Sequence, residues 1–265
     1  MQNLKLESLI LEVNKIVREA GAFQLHELKK FQSGDIIYKG KNDLVSYVDK
    51  QTESLLIEKL MRLLPESSVL AEENGKINEA DLEWVIDPLD GTTNFLHRLP
   101  LFAVSVGLRY QGKEIAGVVL EPNRDELFYA WQGGGSFCNG ERIYASNNTE
   151  ASKALIATGF PYDLLNKTDA YFNIMKTLLH ETHGLRRFGS AAVDLCYTAC
   201  GRFDAYFEFN LKDWDVSAGN IIVREAGGQV SDYQGEQQLC QSGKEIIAAG
   251  AIHPYVLEVV QKNWN

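Results

Sequence analysis

Residues 84–94, WVIDPLDGTTN, set Asp87 and Asp90 on either side of Pro88-Leu89 and run at once into Gly91, Thr92 and Thr93. Two further acidic clusters stand at strand or helix ends. Glu72-Glu73 follows Ser-Val-Leu-Ala, and Asp213 and Asp215 flank Trp214 before a helix. Carboxylates are hard oxygen ligands suited to Mg²⁺, and the N–H groups of a helix start suit a phosphate. Three or four such carboxylates meeting in space could hold two ions about 3.5–4 Å apart, a pair that polarises a phosphoryl oxygen, activates water and stabilises the leaving oxygen. The plain alternative is that paired acids near turns are solvated or cap helices. It keeps real weight for Glu72-Glu73 and for Asp213–Asp215, and least for 87–94, where many specific features coincide.

The elements around these residues can be read in outline. Trp84, Val85 and Ile86 form a buried strand that Pro88, lacking an N–H, is expected to end, and Thr92, Thr93 and Asn94 are expected to cap a helix. Leu6, Leu9, Ile10, Val13, Ile16 and Val17 recur at helical spacing, and a second helix carrying Leu55, Leu56, Leu60, Leu63 and Leu64 follows Asp49 as its cap. Ser68–Ala71 and Leu82–Ile86 are strands. Phe102–Arg109 and Ile115–Glu121 make a hairpin around Gln111-Gly112-Lys113, and Leu127–Trp131 continues the meander. Gly133-Gly134-Gly135 reads as a turn, because no Lys-Ser/Thr follows to make it a phosphate loop. The second half alternates: a strand at Leu155–Thr158, a helix at Ala170–Leu179, a short strand at 185–188 and a helix at Ala191–Ala199. A strand at Asp204–Phe209, a helix at Val216–Ala226, a strand at Ile246–Ala249 and a helix at Pro254–Lys262 complete it. Helices, then a largely antiparallel sheet, then α/β units predict a layered α+β fold rather than a regular Rossmann alternation.

Bulk properties agree with a small-molecule enzyme. The chain has 265 residues, 45% hydrophobic, and is expected to form one unit, with approximate halves 1–150 (metal motifs) and 151–265 (substrate side). A net charge of −10 repels polyanions, so no nucleic acid is expected as a partner, whereas a small phosphate can still bind if divalent cations reverse the local sign. The four cysteines fit no CxxC pattern; Cys196 and Cys200 read as small core residues of a reducing compartment. His180 and His183 read as solvated. Arg186 and Arg187 could meet an anionic substrate but more naturally serve a strand edge or a subunit contact. The amphipathic N-terminus is unlike a signal peptide, and no apolar run approaches the roughly 18 residues of a membrane span. A soluble, cytoplasmic protein with no membrane partner is expected.

WVIDPLDGTTNF (84–95), LAEENG (70–75) and WDVSAGNIIVREAGG (214–228) resemble the three signatures of the inositol monophosphatase family, in order and approximate spacing. DLVSYVDK (43–50) and RFGSAAVDLCYTACGRFDAYFE (187–208) are similar to further family segments, so the resemblance covers essentially the whole chain. It implies a layered αβαβα sandwich, a phosphomonoesterase dependent on two to three Mg²⁺ ions, lithium sensitivity and a homodimer. By resemblance Glu72, Asp87 and the Leu89 carbonyl hold the first ion. Asp87, Asp90 and Asp215 hold the second, and a third, weaker one leans on Glu72. The attacking water is oriented by Thr92 paired with Asp49, and the phosphate sits on the N–H groups of Gly91 and Thr92. Asp90, Gly189, Ser190, Ala191, Glu208 and Asp215 border the alcohol, where a carboxylate such as Glu208 suits vicinal hydroxyls. Either Lys39 or Lys41 answers to a family lysine near the metal site, and the register leaves both open.

The first expectation is therefore hydrolysis of a small phosphorylated polyol, myo-inositol monophosphate foremost. The alternative within the enzyme class is a phosphatase for 3′-phosphoadenosine 5′-phosphate or fructose 1,6-bisphosphate. The absence of a basic cluster near the motifs speaks against it. The alternative from another class is a regulatory binding protein of the same fold, since some relatives act with the transcription apparatus; retention of every metal carboxylate speaks for catalysis.

Overall fold

The computed structural model describes residues 5–30, 47–160, 166–237 and 245–264. Lys39, Lys41, residues 43–46 and Cys240 lie outside them. The chain opens with α1 (Leu6–Lys30) and α2 (Tyr47–Leu63), then β1 (Ser68–Ala71), β2 (Gly75–Ile77), β3 (Leu82–Asp90) and the short α3 (Thr92–Leu96). A meander follows through β4 (Ala103–Tyr110), β5 (Lys113–Glu121), β6 (Glu126–Trp131), β7 (Gly135–Cys138) and β8 (Glu141–Ile143). The second half runs β9 (Leu155–Thr158), α4 (Thr168–Glu181), β10 (Gly184–Arg186), α5 (Ala191–Ala199), β11 (Ala205–Phe209), α6 (Asp213–Glu225), β12 (Gln229–Ser231), β13 (Glu245–Ala249) and α7 (His253–Trp264).

Two sheets result, ordered β2-β1-β3-β4-β5-β6-β7-β8 and β10-β9-β11-β13-β12. Three apolar layers join them to the helices. Ile10, Val13 and Val17 of α1 and Leu56 and Leu60 of α2 cover one face of the first sheet. α5 and α6 lie between the sheets, burying Leu195, Cys196, Ile222 and Val223 against both. α4 and α7 cover the outer face of the second sheet through Ile174, Leu178, Val256 and Val260. The order is helix, sheet, helix, sheet, helix, the layered architecture expected. α6 lies low on the first sheet because Gly107 and Gly117 leave room for it: a Cβ on either would come within 2.6 Å of Ser217 Oγ or the Ala218 carbonyl.

Three local expectations are corrected. Asp49 does not precede α2 but lies inside its first turn, buried at 2% exposure. Pro88 does not end β3, which continues to Asp90. Pairing with β4 shifts there, from Asp87 opposite Ser105 to Asp90 opposite Ala103, so Pro88 and Leu89 occupy a bulge, where a missing N–H is tolerated. Gly91, with φ 94°, occupies the N-cap of α3, and no side chain caps that helix; Thr92 is already its first residue.

Candidate active site

The register of the first sheet brings the acidic turns together. β1 and β3 are parallel, with Ala71 opposite Ile86, so Glu72 and Asp87 leave the same end of neighbouring strands. The Glu72 N–H donates to the Ile86 carbonyl at 3.3 Å. In a regular strand residues three apart point to opposite faces. The bulge adds one residue between Asp87 and Asp90 and turns both carboxylates into one cleft. Leu89, Phe95 and Phe102 pin this turn from below, each 0% exposed; burial of such side chains contributes about 1.5–3 kcal/mol apiece.

The cleft has a volume of about 420 Å³. Glu72, Asp87, Asp90 and Asp215 line it together with Gly91, Thr92, Gly189, Ser190, Ala191 and Glu208. Asp90 Oδ2 accepts from Ser190 Oγ at 2.7 Å and from the Ala192 N–H at 2.6 Å, at the start of α5. Ser190 caps that helix by accepting from the Val193 N–H at 3.3 Å. Asp215 Oδ2 accepts from the Lys212 N–H at 2.6 Å, so this carboxylate both caps α6 and lines the cleft. Asp213 is separate: Arg109, 3% exposed, donates to it at 2.5 Å. Of the two acids flanking Trp214, Asp215 thus caps α6 while lining the cleft, and Asp213 pairs with Arg109.

Burial pushes Glu72 up to about 7, and the charge of Asp49 adds to the shift. Burial also holds Asp87 and Asp215 well above the usual carboxylate range, with Glu72 and Asp90 respectively as the next contributors. Asp90 is raised by burial against the hydrogen bonds of Ser190 and Ala192. Glu208, accepting from Tyr206 Oη at 2.5 Å, is pushed to about 7 by burial. As the side chains stand, no three of the Asp, Glu, His or Cys groups among the described residues converge on one coordination point. The donor set nevertheless fits a hard divalent cation. It is all oxygen, and Glu72, Asp87, Asp90 and Asp215 stand close enough for their charges to raise one another's pKa, a repulsion such an ion would relieve.

Eleven of the twelve candidate residues read from the sequence line this cleft. The exception, Asp49, lies behind it and reaches Glu72 through its charge. Thr92 does not donate to Asp49: its hydroxyl donates to the Leu89 carbonyl at 3.0 Å. Glu73 is not a lining residue. The Gly133–Gly135 turn takes no phosphate role here; its N–H groups at 133 and 135 each donate to Glu225 at 2.9 Å.

Sequence reasoning missed Lys212 and Gly159 and gave Arg187 first to a strand edge or subunit contact; all three line the cleft. Arg187 packs over the Phe160 ring at 5.7 Å and lowers the pKa of Asp90, Asp194 and Glu208. Its pairing with Arg186 in sequence hid it; Arg186 is exposed and donates to the Leu185 carbonyl. Gly159 is required for space: a Cβ there would lie 1.9 Å from Glu208 Oε1.

The sequence matches the family model described as inositol monophosphatase family over residues 5–265. It is 41% identical to the Nus factor SuhB of Escherichia coli (strain K12) over 240 residues, 89% of this chain and 88% of that protein. The extragenic suppressor protein suhB of Bartonella henselae superposes with TM-score 0.89 at 37% identity, covering 96% of this chain and 99% of that one. The inositol monophosphatase of Anabaena (Nostoc) superposes with TM-score 0.87 at 37% identity, covering 98% of each chain.

Proposed function

Because this chain belongs to the inositol monophosphatase family, we propose that its cleft hydrolyses a phosphate monoester of a small polyol with Mg²⁺, myo-inositol monophosphate being the first choice. The observation that supports this most is that Glu72, Asp87, Asp90 and Asp215 line one cleft together with Gly91, Thr92 and Glu208. Glu72, Asp87 and the Leu89 carbonyl would hold one ion; Asp87, Asp90 and Asp215 a second; and Glu72 would support a weaker third. When bound, Mg²⁺ neutralises phosphoryl oxygens and makes water more acidic.

The chain's own residues do the rest. Gly91 and Thr92 offer N–H groups to the phosphate; since α3 is five residues long, these local donors rather than a helix dipole carry that contact. Thr92 orients the attacking water with Asp49 as its partner. That pairing requires its hydroxyl to leave the Leu89 carbonyl, which is freed from it on becoming a ligand. Asp49 keeps Glu72 basic, so Glu72 can draw a proton from the water. Glu208 accepts hydrogen bonds from the alcohol's hydroxyls, beside Gly189, Ser190 and Ala191. Ser190 spends its own proton on Asp90 and so offers the alcohol only a lone pair.

Arg187 and Lys212 in the cleft lining weaken the earlier argument against a bisphosphate, that no basic cluster stands near the motifs. The monophosphate stays first because the other charged groups of the cleft, Glu72, Asp87, Asp90, Glu208 and Asp215, are all carboxylates, which disfavour a second phosphate. A panel of polyol monophosphates, fructose 1,6-bisphosphate and 3′-phosphoadenosine 5′-phosphate, assayed with Mg²⁺, tests this. Strong preference for a bisphosphate would overturn it. The Nus-factor name of the Escherichia coli relative supports a second, compatible reading, binding to the transcription apparatus. Partner binding that survives Asp90→Asn would separate it from catalysis. A homodimer is part of the proposal, tested by sedimentation equilibrium.

A further inference from the structure

Glu53, in α2, is 0% exposed and is not among the residues lining the cleft. Its carboxylate accepts three hydrogen bonds. The Glu73 N–H donates to Oε2 at 2.9 Å; the Asn74 N–H and side-chain amide donate to Oε1 at 2.9 and 2.7 Å. A buried carboxylate is costly unless its oxygens are satisfied, and here they are satisfied by the turn that directly follows Glu72. A short hairpin between β1 and the three-residue edge strand β2 has no need of a buried charge to close it. Gly75, at φ 68°, already makes its turn.

The placement has a second side. Asp49 and Glu53 are i and i+4, one turn apart on the buried face of α2. Glu53 fixes the backbone after Glu72. Before it, the Glu72 N–H is held by Ile86 of β3. Glu72 is thus clamped from both sides. We propose that Glu53 is a positioning residue: it sets where the Glu72 carboxylate stands, and through it the affinity for the ion that Glu72 and Asp87 would share. The proposal rests on the reading of the cleft as a Mg²⁺ site.

The test compares wild type, Glu53→Gln and Asn74→Ala by calorimetric Mg²⁺ titration without substrate, with urea unfolding and with hydrolysis at rising Mg²⁺. Glu53→Gln keeps the shape but sets an amide against a backbone donor. Loss of such an outer partner weakens metal binding by roughly 10–100-fold, and that loss is expected here, with kcat recovering at saturating Mg²⁺. Asn74→Ala, which retains both backbone bonds, is expected to show a smaller loss in the same direction. Unchanged Mg²⁺ affinity in a folded Glu53→Gln, with only its unfolding midpoint lowered, overturns the proposal. So does activity that no Mg²⁺ concentration restores. If Glu53→Gln does not fold, wild-type affinity in Asn74→Ala overturns it instead. Absence of Mg²⁺ binding in wild type defeats the reading of the cleft itself, which is a distinguishable failure.

Discussion

At the scale of single residues, the cleft's carboxylates are held by specific donors. Asp90 faces the Ser190 hydroxyl and the Ala192 N–H, so Asp90→Asn must turn its amide away from both while losing a charge. Activity at saturating Mg²⁺ is expected to fall by several orders of magnitude; wild-type kcat in steady-state kinetics would refute the metal mechanism. Gly159 and Glu208 make a second case. Gly159→Ala would place a Cβ 1.9 Å from Glu208 Oε1 and displace the carboxylate. Hydrogen bonds to charged groups are worth about 1.5–3 kcal/mol, so KM for a polyol phosphate should rise roughly tenfold or more. A phosphate ester without vicinal hydroxyls should be unaffected, and equal effects on the two esters would deny Glu208 its role.

At the scale of elements, the site depends on a bulge and on a helix start. The bulge in β3 brings Asp87 and Asp90 to one side, and the Arg109–Asp213 pair fixes where α6 begins and hence where Asp215 stands. Among the described residues, Asp213→Ala leaves the buried Arg109 with Glu83, 3.9 Å away, as its acidic partner. Breaking a fully buried pair costs about 3–5 kcal/mol; because Asp213 is partly exposed, a loss of about 2–3 kcal/mol in urea unfolding is expected. These dependences also mark what the sequence could say. Long periodic helices and apolar strands are legible because pattern and burial coincide, as in α1, α5 and β5. The short strands β2, β7, β8 and β12 carry too few residues to show a pattern. Pro88 misled because a bulge, a property of the pair β3–β4, excuses its missing N–H. The cleft carboxylates were readable as motifs. Glu53 and Gly159 were not, and Arg187 was readable only as one of two options, because each acquires its meaning from a partner about 20 to 100 residues away in the folded chain.

At the scale of the whole molecule, the cleft makes stability depend on pH in an unusual direction. Glu72 and Glu208 rise from 4.5 to about 7, and Asp87, Asp90 and Asp215 rise too. The folded protein therefore binds more protons than the unfolded chain between about 4.5 and 7, and without metal its stability should fall as pH climbs through that window. Glu126, lowered by Arg202, acts oppositely but below 4.5; His253, lowered by burial, opposes the trend inside the window, one group against five. Thermal midpoints in EDTA should drop from pH 5 to pH 8, and Mg²⁺ should flatten the trend. A midpoint that rises across the window in EDTA would contradict the charge-starved cleft. The layering carries one more consequence, in time rather than in space. The cleft takes Glu72 from the end of β1, Asp90 from the end of β3, Glu208 from β11 in the other sheet and Asp215 from α6 between the sheets. Contacts so distant in sequence form late, after local helices and hairpins. A refolding chain should regain its helical circular dichroism first and its capacity to take up Mg²⁺ last, so that an intermediate with most of its secondary structure is still catalytically silent.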